Sequence, residues 1–377
     1  MPTAPREGEY RVKSIGKLTA SLAGAAVLTL VAAACSSSAS STSNSTTTAS
    51  TSSCKTGTPA VGVASLPGFS VCLLIPATSK ANHPDNVTYA GGKIWIGWQN
   101  ITAKDGTDNK SSTIGEYTTS GTLVKSWKLG GPTAGTGCHT DGMRMDPTTN
   151  VLWVMCNEDG NPRLYTIDPA SSTATPITLP KTPHGGGFDD IQFVNGKAFI
   201  DASNPTLNSA GNNVFPALYT VTLSGNKASL TPVLKGNATG STLNPPVKSI
   251  TMPLTDPDSM MIDPQGDLVL DSQGDMQLLF IHNAGLAGQS VKVLAVGTPV
   301  DDTVWPTASK GCMIIADNAS GVFSVCSDLW VTSTPLTAAP NDSTIVSFVG
   351  NVSLGSGLIT PIIVGMNNPH GMAFLPQ

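Results

Sequence analysis

The sequence predicts an all-β chain in which one strand unit is repeated around a ring, a single β-propeller of six blades. Three observations predict it. Helix formers are scarce beyond residue 34, where Glu116 and Glu158 are the only glutamates, while the chain holds 38 glycines and 28 prolines. Short runs of alternating apolar and polar residues, bounded by Gly, Pro, Asn and Asp, recur throughout, as expected for half-buried strands closed by turns. One such unit also returns: "DGMRMDPTTNVLWVMCN" (141–157) comes back as "DDIQFVNGKAFIDASN" (189–204) and "DSMMIDPQGDLVLDSQ" (258–273). Weaker copies are "DNVTYAGGKIWIGWQN" (85–100), "DDTVWPTASKGCMIIADN" (301–318) and the terminal "HGMAFLPQ" (370–377). Successive starts lie 43 to 69 residues apart, room for the four short strands of a propeller blade.

The chain opens on Arg11, Lys13 and Lys17 followed by "LTASLAGAAVLTLVAAAC", a basic and then apolar run ending in small residues at Cys35, the pattern of a secretory leader over 1–34. "AAAC" resembles the lipobox of bacterial lipoproteins, which implies a lipid on Cys35 and an extracytoplasmic, membrane-anchored chain. Ordinary signal peptidase would cut at the same bond, and a membrane-spanning use of the run is the third alternative. Residues 35–57 are Ser/Thr-rich, too polar to bury a core, and read as a flexible tether. The propeller domain is expected over 58–377. With Cys35 set aside, the other six cysteines form three neighbouring couples, Cys54–Cys72, Cys138–Cys156 and Cys312–Cys326, each a disulfide in an oxidising compartment. None has the paired spacing of a zinc ribbon.

Each unit begins with a polar residue and a period-2 strand, turns, and continues in a more uniformly apolar strand, so each reads as a hairpin. "GEYTTSGTLVKSWKL" and "RLYTIDPASSTATPITL" supply outer strands to the first two blades. Five full starts and the C-terminal half-unit make six blades if "FSVCLLI" (69–75) gives an outer strand to the blade whose inner strand is "GMAFLP". The 69-residue gaps leave room for a concealed unit, so five or seven blades stay open. Six tryptophans fall mostly in strands, where packing between blades is their expected role.

Units such as "DGMRMDPTTNVLWV", "DSMMIDPQGDLVL" and "NPHGMAFLP" resemble the six-bladed propellers of the NHL, SMP-30/gluconolactonase and strictosidine-synthase-like group from about Asp85 onward. The resemblance implies that function gathers at the channel mouth. There it gathers the residues that begin the inner strands, Asp85, Asp141, Asp189, Asp190, Asp258, Asp301 and His370, and those that end the second strands, Asn100, Asn157, Asn204, Asp271 and Asp317. Asp85, Asp141, Asp189 and Asp301 are the expected ligand-binding residues. Oxygen donors of this kind suit Ca²⁺ or another divalent metal, which takes six to eight of them. In the lactonase group a metal is held by a first-blade Glu with Asn and Asp from later blades. The first unit here has Asp85 and Asn86 and no Glu, and the positions that match are Asn157, Asn204 and Asp258. His139, His184 and His370 are the candidate proton-transfer residues, or transition-metal ligands as in lyases of the NHL type, and His83 shares their placement. The competing role for any of these residues is capping a turn that every blade needs. His282 reads as a strand residue.

Several classes are excluded. The precursor carries −5, and the leader holds four basic residues against two acidic ones, so the remainder carries −7. With Arg144 and Arg163 its only arginines, it offers nucleic acid no basic surface. "GGPTAGTG" lacks the Lys-Ser/Thr of a phosphate loop, and no G-x-S-x-G nucleophile elbow occurs. Asp263, Asp267, Asp271 and Asp275 sit on a hairpin, not a helix face. The expected protein is a monomeric, lipid-tethered propeller whose mouth binds a metal ion, a small molecule or a cell-envelope component such as a sugar, cell-wall fragment or protein. The alternatives are a metal-dependent hydrolase of lactones or esters and a His-metal lyase.

Overall fold

A computed structural model describes residues 54–340 and 346–377; the leader, Cys35 and most of the tether lie outside the described residues. Six sheets stand around one axis, their pairings antiparallel except where Thr239–Thr242 runs parallel to Ser290–Ala295. Blade 1 is Pro84–Ala90, Lys93–Trp98, Ser112–Tyr117 and Leu123–Leu129 from axis to rim, and blade 2 is Thr140–Met145, Leu152–Cys156, Arg163–Ile167 and Thr175–Ile177. Blade 3 follows with Ile191–Val194, Lys197–Asp201, Pro216–Ser224 and Lys227–Lys235. Blade 4 is Pro257–Ile262, Leu268–Ser272, Gln277–His282 and Ser290–Ala295, extended at its rim by Thr239–Thr242 and Ser249–Thr251. Those two extra strands and the long blade-3 hairpin fill the gap between the starts at 189 and 258, so it conceals no further blade.

The last two blades correct one expectation. Residues 301–318 do not form one hairpin. Thr303–Val304 is the innermost strand of blade 5, continued by Leu336–Ala339, Phe348–Val352 and Ile359–Val364. Gly311–Asp317 belongs to blade 6, pairing with Gly321–Ser327 on one side and with the terminal Pro369–Pro376 on the other. Ser70–Pro76 completes blade 6, the expected closure of the ring by the N-terminal strand. The chain therefore lays the middle of blade 6 before it returns to finish blade 5. Alternating apolar residues specify a strand but not its sheet, and both pairings bury the same residues.

Second strands are apolar on both faces because both faces are covered. In Lys93–Trp98, Ile94, Ile96 and Trp98 pack with blade 6 while Trp95 packs with blade 2. Six clusters of buried side chains fill the six junctions between neighbouring blades. All six tryptophans are buried in strands or rim loops, with Trp95 stacked on Trp127 at 5.6 Å. This is the arrangement the strand pattern predicts, and its radial closure leaves few sheet edges bare.

All three expected disulfides are present. Cys312 and Cys326 stand directly opposite on paired strands, while Cys138–Cys156 ties the approach to the blade-2 inner strand to the end of its second strand. Such bridges are those of an oxidising, extracytoplasmic compartment. Cys138–Cys156 closes a separation of 18 residues. Replacing both cysteines by serine is therefore expected to cost about 3 kcal/mol, read as a lower urea midpoint. An unchanged midpoint would show that hydrogen bonding alone holds this corner.

Candidate functional site

Because every inner strand begins at the same height, its first polar residue is carried to the same place on the axis. Asp85, Asp141, Asp189, Asp258, Asp301 and His370, one from each blade, line a single cavity of about 200 Å³. Lys104 and Glu158 reach in from the loops above blades 1 and 2, and Gln99, Gln273, Asn318 and Asn368 are among the other polar residues of the wall. A larger hollow, about 900 Å³, is lined by strands of blade 6 from Leu375 to Cys72 and by Tyr89, Thr119 and Ser120 of blade 1, with Lys55, Lys310 and Asp328. Its ion pair, Lys310 with Asp328 at 3.5 Å, is exposed, whereas six carboxyl groups converge on the smaller cavity, which is the candidate site.

Six carboxyl groups face two cationic side chains in this space. His370 Nδ1 lies 2.8 Å from Asp301 Oδ2 and 3.3 Å from Asp85 Oδ1. Burial works against its charge, but Asp301 and then Asp85 prevail and raise the ring to about 9. Lys104 Nζ meets Glu158 Oε1 at 2.5 Å. Burial drives most of the carboxyls toward their protonated forms. Burial, offset in part by His370, lifts Asp85 to about 6, and Asp85 and Asp141 share a hydrogen bond. Burial, Glu158 and Asp85 push Asp141 well above the carboxylate range. Asp189 and Asp258 form a second hydrogen-bonded pair, Asp258 being raised by burial and by Asp301. Like charges this close cannot all ionise unless a cation joins them. Gln273 Nε2 donates to Asp258 Oδ2 at 2.9 Å.

One layer below, Arg144 crosses the channel. Its Nη1 donates to Asn86 Oδ1 at 3.2 Å, and its Nη2 donates to Asp190 Oδ2 at 3.0 Å and to the Met260 carbonyl at 2.9 Å. Asp302 Oδ1 is 3.9 Å away. One side chain thus joins blades 1, 3, 4 and 5 to its own blade 2. The carboxylates also lock blades together: Asp190 accepts from the Met260 N–H at 2.8 Å, and Asp302 from the Met372 N–H at 2.6 Å. Gly142 makes the approach possible, since a Cβ there would lie 2.2 Å from Asp190 Oδ1.

Residues that end the second strands have another duty. Asn100, Asn157 and Asn204 all hold positive φ, a conformation that asparagine tolerates better than most residues. Asn157 Oδ1 accepts from the His139 N–H at 2.8 Å, while its Nδ2 donates to the carbonyls of Gly137 and Asn161. Asn100 and Asp317 likewise accept from the chain entering an inner strand. Asn204 is exposed and donates to Asp159 Oδ1 at 3.0 Å. Of the expected metal set Asn157, Asn204 and Asp258, only Asp258 lines the cavity. The amides of Asn100 and Asn157 bind the chain entering the inner strand, and that of Asn204 bridges to Asp159.

The histidines do not converge either. His184 is buried outside the cavity wall, its Nε2 2.7 Å from the Gly187 carbonyl and its ring edge-on to Phe188. His83 pairs with Asn318 at 2.9 Å, and His282 is exposed beside Asp267. His139 lies behind Asp141, held low at about 4 by burial and then by Lys104. Sequence reasoning missed Glu158, Lys104 and Arg144. A lone arginine within the apolar strand "DGMRM" and one of only two glutamates beyond the leader were the signals available.

No family model matches this chain, and no curated protein matches its sequence. Among solved structures, it is similar to a putative gluconolactonase at 11% identity over 80% of this chain and 83% of that one, with a TM-score of 0.43. It is similar to a putative 6-phosphogluconolactonase from Bacteroides fragilis at 11% identity, over 83% and 86%, with a TM-score of 0.44. It is similar to a streptogramin B lyase at 13% identity, over 72% and 95%, with a TM-score of 0.40.

Proposed function

We propose that this protein is a surface-tethered, extracytoplasmic propeller lipoprotein whose channel mouth binds a divalent cation and, over it, a small polar ligand such as a sugar or cell-wall fragment. The observation that carries this reading is the convergence of five aspartates and Glu158 on one small cavity with two cationic side chains. The cavity is smaller than a drug-sized ligand site, about 300–1,000 Å³, but it has room for an ion and its waters with part of a ligand above. Oxygen donors at this density suit Ca²⁺. A hydrolytic form of the same site, opening a lactone or ester at the held cation, draws support from His370, an imidazole in the cavity wall beside Asp301 and Asp85.

Calorimetric titration of the purified protein with Ca²⁺ and with Mn²⁺, after chelator treatment, tests the proposal. Saturable uptake is expected, weakened about tenfold or more by Asp141→Asn because one carboxylate donor is lost. A protein that takes up no divalent cation would end it. Lactone and ester turnover with and without chelator separates the binding and hydrolytic forms. Mass spectrometry of the mature N-terminus tests the anchor, and an unmodified Cys35 would refute it.

A further inference from the structure

One ligand atom each from His139, Asp141 and Glu158 lies within 4.8 Å of the others, the tightest such grouping among the described residues. The state of the imidazole follows from its neighbours. Nδ1 is 3.0 Å from the Thr102 carbonyl, which can only accept, and 2.9 Å from Thr102 Oγ1. That hydroxyl already donates its proton to the Gln99 carbonyl at 2.8 Å, so it too must accept from Nδ1. Nδ1 therefore carries the hydrogen, and Nε2 presents a lone pair. This Nε2 is buried with no hydrogen-bond partner, as is Asp141 Oδ2, in side chains only 5% and 6% exposed. A buried acceptor without a donor forfeits its hydration with nothing in return. A single cation would satisfy both, with Glu158 beside them.

We infer that His139, Asp141 and Glu158 form a seat for a transition-type divalent cation such as Zn²⁺ or Co²⁺, with its open coordination positions turned to the channel mouth. This rests on the proposed cation-binding role of the mouth and deepens it by naming the donors and the class of ion. An imidazole nitrogen with two carboxylates suits borderline ions, whereas Ca²⁺ takes oxygen donors. A ring N–H given to a carbonyl is also how metal-bound histidines are usually oriented. The surroundings are rigid where the donors stand. Cys138–Cys156 staples the segment bearing His139 and Asp141 to the one bearing Glu158, and Asn157 Oδ1 holds the His139 N–H. Gly187 packs so closely that a Cβ would lie 1.9 Å from the Asn157 carbonyl oxygen. Lys104, by contrast, is the movable part. Its side chain is 60% exposed while its ammonium pairs with Glu158, so it fills the cation's electrostatic place and can swing aside.

Titrating the purified protein with Co²⁺, followed by visible absorption, and then displacing it with Zn²⁺ or Ca²⁺ tests the inference. One Co²⁺ per chain is expected, displaced by stoichiometric Zn²⁺ but not by millimolar Ca²⁺. His139→Ala and Glu158→Gln should each weaken binding by more than the roughly 10–100-fold that an outer-shell change costs. Lys104→Met should tighten it about tenfold by removing a competing charge, a gain that misfolding cannot produce. His282→Ala, at an exposed strand end outside the cavity, should leave Co²⁺ affinity within about threefold. Unchanged affinity in both His139→Ala and Lys104→Met would overturn the seat. So would Ca²⁺ displacing Co²⁺ at equal concentration, which would leave the mouth as an all-oxygen cation site. Uptake of no divalent ion at all would overturn the seat and the proposed function together.

Discussion

Arg144→Met is expected to destabilise the folded domain by about 3–5 kcal/mol, the cost of removing one partner from a buried ion pair. The change leaves Asp190, 1% exposed, and Asp302, fully buried, facing each other without their shared cation. It also deprives the Met260 carbonyl and Asn86 Oδ1 of a donor. Burial, opposed by Arg144, already raises Asp302 to about 8. In the variant both carboxyls should cling to protons more strongly, so the loss should be greatest above neutral pH. Arg144→Met with Asp190→Asn should recover part of it, because the amide removes one uncompensated charge. Urea unfolding of the two variants at pH 6 and pH 9 measures both effects. A single-variant loss under 1 kcal/mol would show that the blades hold their register without the guanidinium.

The stability of the cation-free protein should fall as pH rises from about 5 to 9. In an unfolded chain Asp titrates near 3.9 and His near 6.5. Burial, offset in part by nearby cations, lifts Asp85 to about 6 and Asp302 to about 8, and burial with neighbouring anions lifts Asp256 to about 6. Burial also raises Asp201 and Asp271 well above the ordinary range. For these carboxyls the folded state binds more protons than the unfolded one, so stability drops between the unfolded and folded values. His370, raised to about 9, contributes stability fully present below 6.5 and lost as pH climbs through 9. Both signs agree. With several groups involved, Tm in chelator should fall on the order of 10 °C between pH 5 and pH 9. A bound divalent cation replaces the protons, so added cation should raise Tm more at pH 8 than at pH 5 and release protons on binding. Buffer-dependent calorimetric enthalpies count those protons. A Tm that stays level across the range in chelator would refute the proton-holding ring.

Much of the architecture could be read from residues alone, and the limits have physical causes. Asp85, Asp141, Asp189, Asp258, Asp301 and His370 were legible because a repeated unit sends equivalent positions to equivalent places, and radial symmetry makes those places adjacent. Asn157 and Asn204 were legible as repeated residues but not in their role, since a turn with positive φ and a metal site select the same side chain. Lys104 and Glu158 lie in loops of unequal length, where no register carries over from blade to blade. Arg144 looked like an isolated charge, because what it reaches lies 46 and 116 residues further along the chain.

By itself the sequence determined the propeller class, the three disulfides and the ring of polar residues that heads the inner strands. Each follows from local periodicity or spacing, which a strand expresses wherever it is placed. Only the tertiary structure decided that Gly311–Asp317 joins blade 6 rather than Thr303–Val304, that Arg144 spans the channel, and that His139, Asp141 and Glu158 stand within reach of one ion. Those outcomes depend on which apolar faces meet and which buried charges find partners. Both are set by packing between blades, not by the pattern within any one of them.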